Sequence, residues 1–157
     1  MDISSLSTED IISLYPAILK ELKQRKVITT NNFIGELGEY LAINAYNKNS
    51  SLSNLQKADV STQNIDAISN KGERYSIKSV SGSATGVFHS LSGEKDFEYL
   101  IIVQFGKDYE LIRIIQLTWN QFIKIRRMKK PENKYNVPIT QKNLENGKII
   151  YQSELIN

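Results

Sequence analysis

Four side chains in this 157-residue sequence have types and spacings that could do chemistry together: Glu36 and Glu39, three residues apart, then Asp66, then Lys78 twelve residues beyond it. Asp66 lies in Ile65-Asp66-Ala67-Ile68 and Lys78 ends Tyr75-Ser76-Ile77-Lys78, two segments of extended character separated by turn residues. If they pair as neighbouring strands, Asp66 and Lys78 stand on one face of a sheet, with cross-strand Cβ atoms within ~5.5 Å. A helix carrying Glu39 can lay that carboxylate over the same face. Glu36 lies on the same side of that helix, so either could point at the cluster. Carboxylates holding a divalent cation beside a lysine suit phosphodiester hydrolysis. The metal neutralises phosphate charge and acidifies water, and the ammonium steadies the developing oxyanion. The competing reading is a cross-strand ion pair, with Glu39 an ordinary solvated helix residue.

Other chemistries lack their parts. The chain has no Cys and a single His, His89. Thiol nucleophiles, zinc fingers, Fe–S clusters and disulfides are therefore excluded, and a Ser-His-Asp triad would have one residue to serve as its base. No GxxxxGK[ST] or GxGxxG run occurs, which argues against nucleoside-triphosphate and dinucleotide binding. Carboxylate oxygens remain as metal ligands, and they favour Mg²⁺ or Mn²⁺.

Periodicity gives the elements that must place these residues. Ser7 followed by Asp10 resembles a capping box. Ile11, Leu14, Tyr15, Ile18, Leu19 and Leu22 then recur at helical spacing to about Arg25, with Pro16 expected to kink or divide the helix. Asn31 or Asn32 can cap a second helix, whose apolar face runs Phe33, Leu37, Tyr40, Leu41 and Ala45 ahead of a polar loop at 47–54. Residues 64–68 and 74–80 read as a hairpin about the turn 70–72. The Gly/Ser-rich stretch 81–93 reads as a mobile loop with His89 exposed to solvent, and 97–105 and 109–116 as a second strand pair. Thr118 can cap a helix through Met128 that Pro131 stops; 136–140 and 148–151 are candidate edge strands around a helical turn. With no repeat or linker, the chain reads as one domain over 1–157: a helical segment at 1–30, a core at 31–128 and a tail at 129–157. The order predicts an α/β fold, a central mixed sheet flanked by helices.

The text Gly35-Glu36-Leu37-Gly38-Glu39-Tyr40-Leu41-Ala42, then Asn64-Ile65-Asp66-Ala67, then Tyr75-Ser76-Ile77-Lys78 resembles the PD-(D/E)xK nuclease superfamily, which includes restriction endonucleases and Holliday-junction resolvases. The likeness covers roughly Lys20 to Gln116. It departs from the superfamily pattern in two places: no Pro precedes Asp66, and Ser76 replaces the acid two residues before the lysine. The resemblance implies a restriction-endonuclease-like fold and a metal-dependent nuclease. On this pattern Asp66 is a metal ligand, the Ile77 backbone carbonyl binds the same ion, Glu39 completes the metal shell, and Lys78 orients or deprotonates the attacking water. Ser76 offers a neutral hydroxyl, so Glu39, Glu36 or Glu73 would supply the missing charge.

The net charge of +3 is unevenly spread. Residues 118–157 carry eight Lys/Arg against three Asp/Glu, a net +5, and the rest of the chain −2. Lys124, Arg126, Arg127, Lys129, Lys130 and Lys134 fall close together, and Lys124, Arg127 and Lys130 recur at three-residue intervals, so one face of the third helix would be basic. Such a face can hold nucleic acid through its phosphates, or it can simply be solvated. The expected partner is nucleic acid, above all double-stranded DNA, and many such nucleases cut both strands as symmetric dimers, so a homodimer is expected. The longest apolar run, Tyr99–Val103, is far short of the ~20 residues of a membrane span. That run, the Ser-rich acidic N-terminus and the absence of Cys give the expectation of a cytoplasmic protein with no membrane partner. The leading expectation is an endonuclease of restriction or repair type. The alternatives are a decayed nuclease fold that binds nucleic acid and an interaction module whose basic helix meets an acidic protein.

Overall fold

The computed structural model describes residues 2–30, 32–59, 62–81, 85–89, 95–129 and 134–154. The chain divides into two compact units, Met1–Leu37 and Gly38–Asn157.

In the first unit, α1 (Thr8–Gln24) begins where the sequence places it. The Ser7 hydroxyl accepts the Asp10 amide at 3.1 Å and donates to the Asp10 carboxylate at 2.7 Å. Pro16 lies inside the helix without dividing it. No residue of α1 is buried, so water can satisfy the Ile12 carbonyl that Pro16 has no N–H to bond. The helix ends at Arg25, and Lys26 takes the left-handed φ of 57° that turns the chain away.

Residues Phe33–Asn47 form α2. Its buried stripe in the second unit is Gly38, Ala42 and Tyr46, spaced by one helical turn, whereas the apolar face expected from sequence included Tyr40, which is exposed. Small side chains decide this. A Cβ on Gly38 would lie 1.8 Å from Ser79 Oγ, 3.0 Å from Ser79 Cβ and 3.5 Å from Val103 Cβ, so the helix backbone rests almost directly on the sheet. Larger apolar residues at that position would hold it off.

The second unit contains β1 (Leu55–Lys57), β2 (Ala67–Ser69), β3 (Arg74–Ser81), β4 (Thr85–His89), β5 (Tyr99–Phe105), β6 (Leu111–Thr118), α3 (Trp119–Ile125), β7 (Arg127–Lys129), β8 (Lys134–Pro138), α4 (Gln141–Leu144) and β9 (Lys148–Gln152). Six strands form a sheet in the order β1-β2-β3-β5-β6-β9, and β4-β8-β7 form a second sheet of three. Within the larger sheet β3 and β5 run parallel, with Tyr75 opposite Tyr99, and the other pairs are antiparallel. This is an α/β fold on a mixed sheet, as the sequence predicts.

Leu100, Ile101, Ile102 and Val103 are all at most 1% exposed. This is the expected state of a central strand buried on both faces, and it accounts for a run too apolar to alternate. Tyr75, Ile77 and Ser79 share one face with Ile101 and Val103, the face that Gly38 touches. Val80, Leu100 and Ile102 turn to the other, where they join Phe97, Leu117, Phe122, Val137 and Leu144 in the main core. The Arg74 guanidinium fixes the start of the parallel pair by a two-point contact with Glu98, Nε to Oε2 at 3.1 Å and Nη2 to Oε1 at 2.9 Å. That bond, working against burial, holds the Glu98 carboxyl down at about 2.

Two expectations give way here. The third helix stops at Ile125, not Met128. Arg126 turns extended at φ −64° and ψ 145°, its guanidinium lies 4.4 Å from the Tyr135 ring centroid, and Arg127–Lys129 pair with β8. Ladder bonds and the ring contact outweigh helical propensity over those residues. The expected loop at 81–93 instead carries β3 as far as Ser81 and β4 at Thr85–His89, so His89 is a strand residue paired with Lys134. Residues 82–84 and 90–93 of that stretch lie outside the described residues. No helix among the described residues is long and apolar enough to cross a membrane.

Candidate active site

The site is built on the edge where β2 ends and β3 continues. A tight turn brings the strands together: the Gly72 amide bonds the Ser69 carbonyl at 2.9 Å, Gly72 takes a φ of 80° that suits a residue without Cβ, and the Ser69 amide meets the Glu73 carbonyl at 2.8 Å. At the other end of β2, Asn64 adopts a left-handed φ of 60°, a conformation Asn tolerates better than most residues, and the chain then enters Ile65-Asp66. The Asp66 amide bonds the Tyr75 carbonyl at 2.8 Å, and the Asp66 carbonyl accepts from Ala58 at 3.0 Å. Asp66 is thus tied by its backbone to the strands on both sides.

Its carboxylate lies along the edge of β3. Oδ2 accepts the Ile77 amide at 2.6 Å, in the place where a ladder carbonyl would lie if β2 were one step longer. The Ser76 hydroxyl donates to the same oxygen at 3.3 Å, and Lys78 Nζ lies 3.6 Å from it. Asp66, Ser76, Ile77 and Lys78 therefore converge as the hairpin reading requires. The Asp66 and Lys78 side chains are each about a quarter exposed, so the pair is open to solvent on one side, while Ser76 is fully buried. The structure records the Ile77 amide, and not its carbonyl, on Asp66. Because the N–H and C=O of a strand residue point to the same neighbour, that carbonyl faces the same edge.

The acids from the helix are placed differently. The Glu39 carboxylate pairs with Lys57 Nζ at 2.9 Å. Lys57 stands opposite Ala67 in the β1–β2 ladder, one residue from Asp66. Glu39 flanks the Gly38–Ala42–Tyr46 stripe, on the face of Ser79, while alternation sends Ser76 and Lys78 to the other face. The expectation that α2 overlies the Lys78 face is thus corrected, for the packing reason already given at Gly38. Glu36 belongs to the first unit, where its carboxylate closes the turn into α2. It accepts the Thr29 hydroxyl at 2.8 Å and the Thr30 amide at 2.7 Å, together with the Thr29 amide and the Thr30 hydroxyl. Burial pushes this carboxyl up, but the bonds from Thr30 and Thr29 outweigh it and hold it at about 2. Glu73 accepts hydroxyls from Ser69 at 3.0 Å and from Ser53 and Tyr75 at 3.2 Å, on the turn side of the hairpin.

Lys57 is the residue the sequence reading missed. A three-residue strand after a polar loop carries too little periodicity to be seen, and Lys57 becomes notable only through the ladder that sets it beside Asp66. Of the basic residues, Lys124 lies exposed on α3, Arg126 stacks on Tyr135, and Arg127 is exposed on β7, whose last residue is Lys129. Lys130 lies outside the described residues.

The donor set can be tested against a divalent ion. Mg²⁺ and Mn²⁺ take oxygen ligands, commonly one or two carboxylates with several retained waters. The three contacts to the Asp66 carboxylate among the described residues all use Oδ2, which leaves Oδ1 as the oxygen a cation would take, next to an edge that the Ile77 carbonyl faces. No group of three or more His, Cys, Asp or Glu gathers among the described residues, so the fit is to a largely hydrated ion on one carboxylate. Comparison with protein-family models gives no match for the chain, and comparison with curated proteins gives none either.

Proposed function

We propose that this protein is a metal-dependent endonuclease that hydrolyses phosphodiester bonds in DNA. The observation that carries the reading is the convergence of Asp66, Ser76, Ile77 and Lys78 at one strand edge, with an acid and an amine 3.6 Å apart and open to solvent. A divalent ion bound there, Mg²⁺ or Mn²⁺, would neutralise phosphate charge and lower the pKa of water. Asp66 Oδ1 and the Ile77 carbonyl would hold it, with water completing its shell, because Glu39 lies on the opposite face of the sheet, paired with Lys57. Lys78 supplies the cation that orients the attacking water and steadies the oxyanion on phosphorus. The Ser76 hydroxyl and the Ile77 amide hold the Asp66 carboxylate in place.

Duplex DNA is the proposed substrate because exposed cations at Lys124 and Arg127 lie in the chain's most basic stretch, with Lys129 and Lys130 completing the sequence run. The test is incubation of the protein with labelled duplex DNA, single-stranded DNA and RNA in Mg²⁺, in Mn²⁺ and in EDTA. Cutting of duplex DNA that EDTA abolishes supports the reading. Salt-sensitive binding with no cutting in either metal overturns it in favour of a fold that only holds nucleic acid.

A further inference from the structure

On the α2 face of the sheet lies an open cavity of about 270 Å³, and none of Asp66, Ser76, Ile77 and Lys78 lines it. Its floor is aromatic. Tyr46, near the end of α2, meets Tyr75 edge-on with ring centroids 5.6 Å apart, and Tyr75 stacks on Tyr99 at 5.0 Å. Glu73 stands at one end, accepting hydroxyls from Ser69, Ser53 and Tyr75 all on Oε2, so Oε1 keeps acceptor capacity. No cation among the described residues pairs with this carboxylate, not even Lys71 two residues away, which is exposed on the turn. Burial, and after it the charge on Glu73, pushes the Tyr75 and Tyr99 hydroxyls up, so both stay protonated. At the other end Gln116 on β6 faces Lys148 on β9 across the ladder. The Tyr46 hydroxyl donates to Gln116 Oε1, which leaves the amide N–H groups to donate, and Lys148 is exposed with no ion-pair partner among the described residues.

We propose that this cavity binds a free mononucleotide, with the base against Glu73 and the tyrosines and the phosphate at Gln116 and Lys148. The two ends ask for opposite chemistry: an acceptor without a cation at one, an ammonium and amide donors at the other. Three strand spacings separate β3, which follows Glu73, from β9, so the backbones at the two ends lie about 14 Å apart. A free α-amino acid, whose two charges adjoin, cannot reach both. An inorganic anion leaves the Glu73 end unanswered. A nucleotide carries N–H donors on the base edge and its charge on a phosphate at the far end, and its flat ring suits an aromatic floor. The cavity is at the small end of ligand pockets, which fits a base and ribose inside and a phosphate at the rim. The site lies on the face away from Lys78 and stands independently of the nuclease reading.

Titration of the full chain with AMP, GMP, CMP and UMP, followed by the protein's own amide NMR signals, tests it. The expected result is that at least one monophosphate binds with a Kd below about 1 mM. Its nucleoside and ribose 5-phosphate should each bind at least about tenfold more weakly, because each lacks what one end recognises. Lys148→Ala, an exposed position whose loss leaves the fold intact, should weaken the monophosphate about tenfold and leave the nucleoside unchanged. Glu73→Gln should weaken both. The proposal is overturned if none of the four monophosphates binds, or if ribose 5-phosphate or inorganic phosphate binds as tightly as the best of them. Monophosphate affinity that Lys148→Ala or Glu73→Gln leaves unchanged also overturns it.

Discussion

Asp66 Oδ2 is contacted by an amide, a hydroxyl and an ammonium, and their different burial separates what each contributes. Lys78 is about a quarter exposed, so its ion pair is worth no more than about 1 kcal/mol. Lys78→Ala should leave the unfolding free energy within that margin while removing a group that the proposed chemistry needs. Ser76 is the opposite case. It is fully buried beside Asp66, so Ser76→Glu forces a second carboxylate into a site with no room to hydrate it, at a cost of about 3 kcal/mol or more. Urea unfolding should show that loss, and on the proposed chemistry Mn²⁺ should recover part of it. Recovery equal in the Asp66→Ala background would contradict a metal site at Asp66. Glu36 gives a pH signature in the first unit. Its carboxyl is held at about 2, below an ordinary value of 4.5, so the ionised form contributes stability that is fully present above 4.5 and is lost as pH falls toward 2. Glu36→Gln should therefore destabilise by about 1–3 kcal/mol at neutral pH, and the gap from wild type should narrow steadily in unfolding measurements below pH 4.5.

At the scale of elements, the approach of α2 to β3 rests on one missing side chain. Gly38→Ala raises helix propensity by up to about 1 kcal/mol. It also drives a methyl group to 3.0 Å from Ser79 Cβ, which no rotation of Ser79 relieves. A net loss of about 1–3 kcal/mol is expected, and Ser79→Gly in the same chain should recover much of it. Arg126 is a second such point: Arg126→Ala removes a guanidinium stacked 4.4 Å from the Tyr135 ring centroid and should cost about 0.5–2 kcal/mol by denaturant unfolding. These two positions also show where sequence reading reaches its limit. The Ser7 cap, the turn at Gly72 and the apolar run of β5 are local signals, and the elements they announce are present. The orientation of α2 depended on which residues are small enough to touch a strand forty residues away. The end of α3 depended on a ladder with β8 and a ring contact to Tyr135. Neither is written in the local period. The candidate site divides in the same way: Asp66, Ser76 and Lys78 meet across one hairpin and are legible from alternation, but Glu39 reaches Lys57 through a three-residue strand that periodicity cannot resolve.

For the whole molecule, the relevant quantity is how charge is distributed over a chain whose net value is only +3. If the basic stretch holds phosphates, Lys124→Ala and Arg127→Ala should weaken duplex binding about equally for all sequences and lower the salt slope by about one unit for each phosphate left without its cation. Filter binding over a salt series measures this, and a slope unchanged in the double variant would move the interface elsewhere. The central question is whether the edge at Asp66 and Lys78 reacts with DNA or only joins two strands. The most direct measurement is the rate of duplex cutting in Mn²⁺ by wild type, Asp66→Ala and Lys78→Ala, each first shown to be folded and to bind duplex. The expected result is cutting by wild type that falls about a hundredfold or more in both variants, with binding retained. Cutting by Lys78→Ala at the wild-type rate would contradict a nuclease centred on this edge.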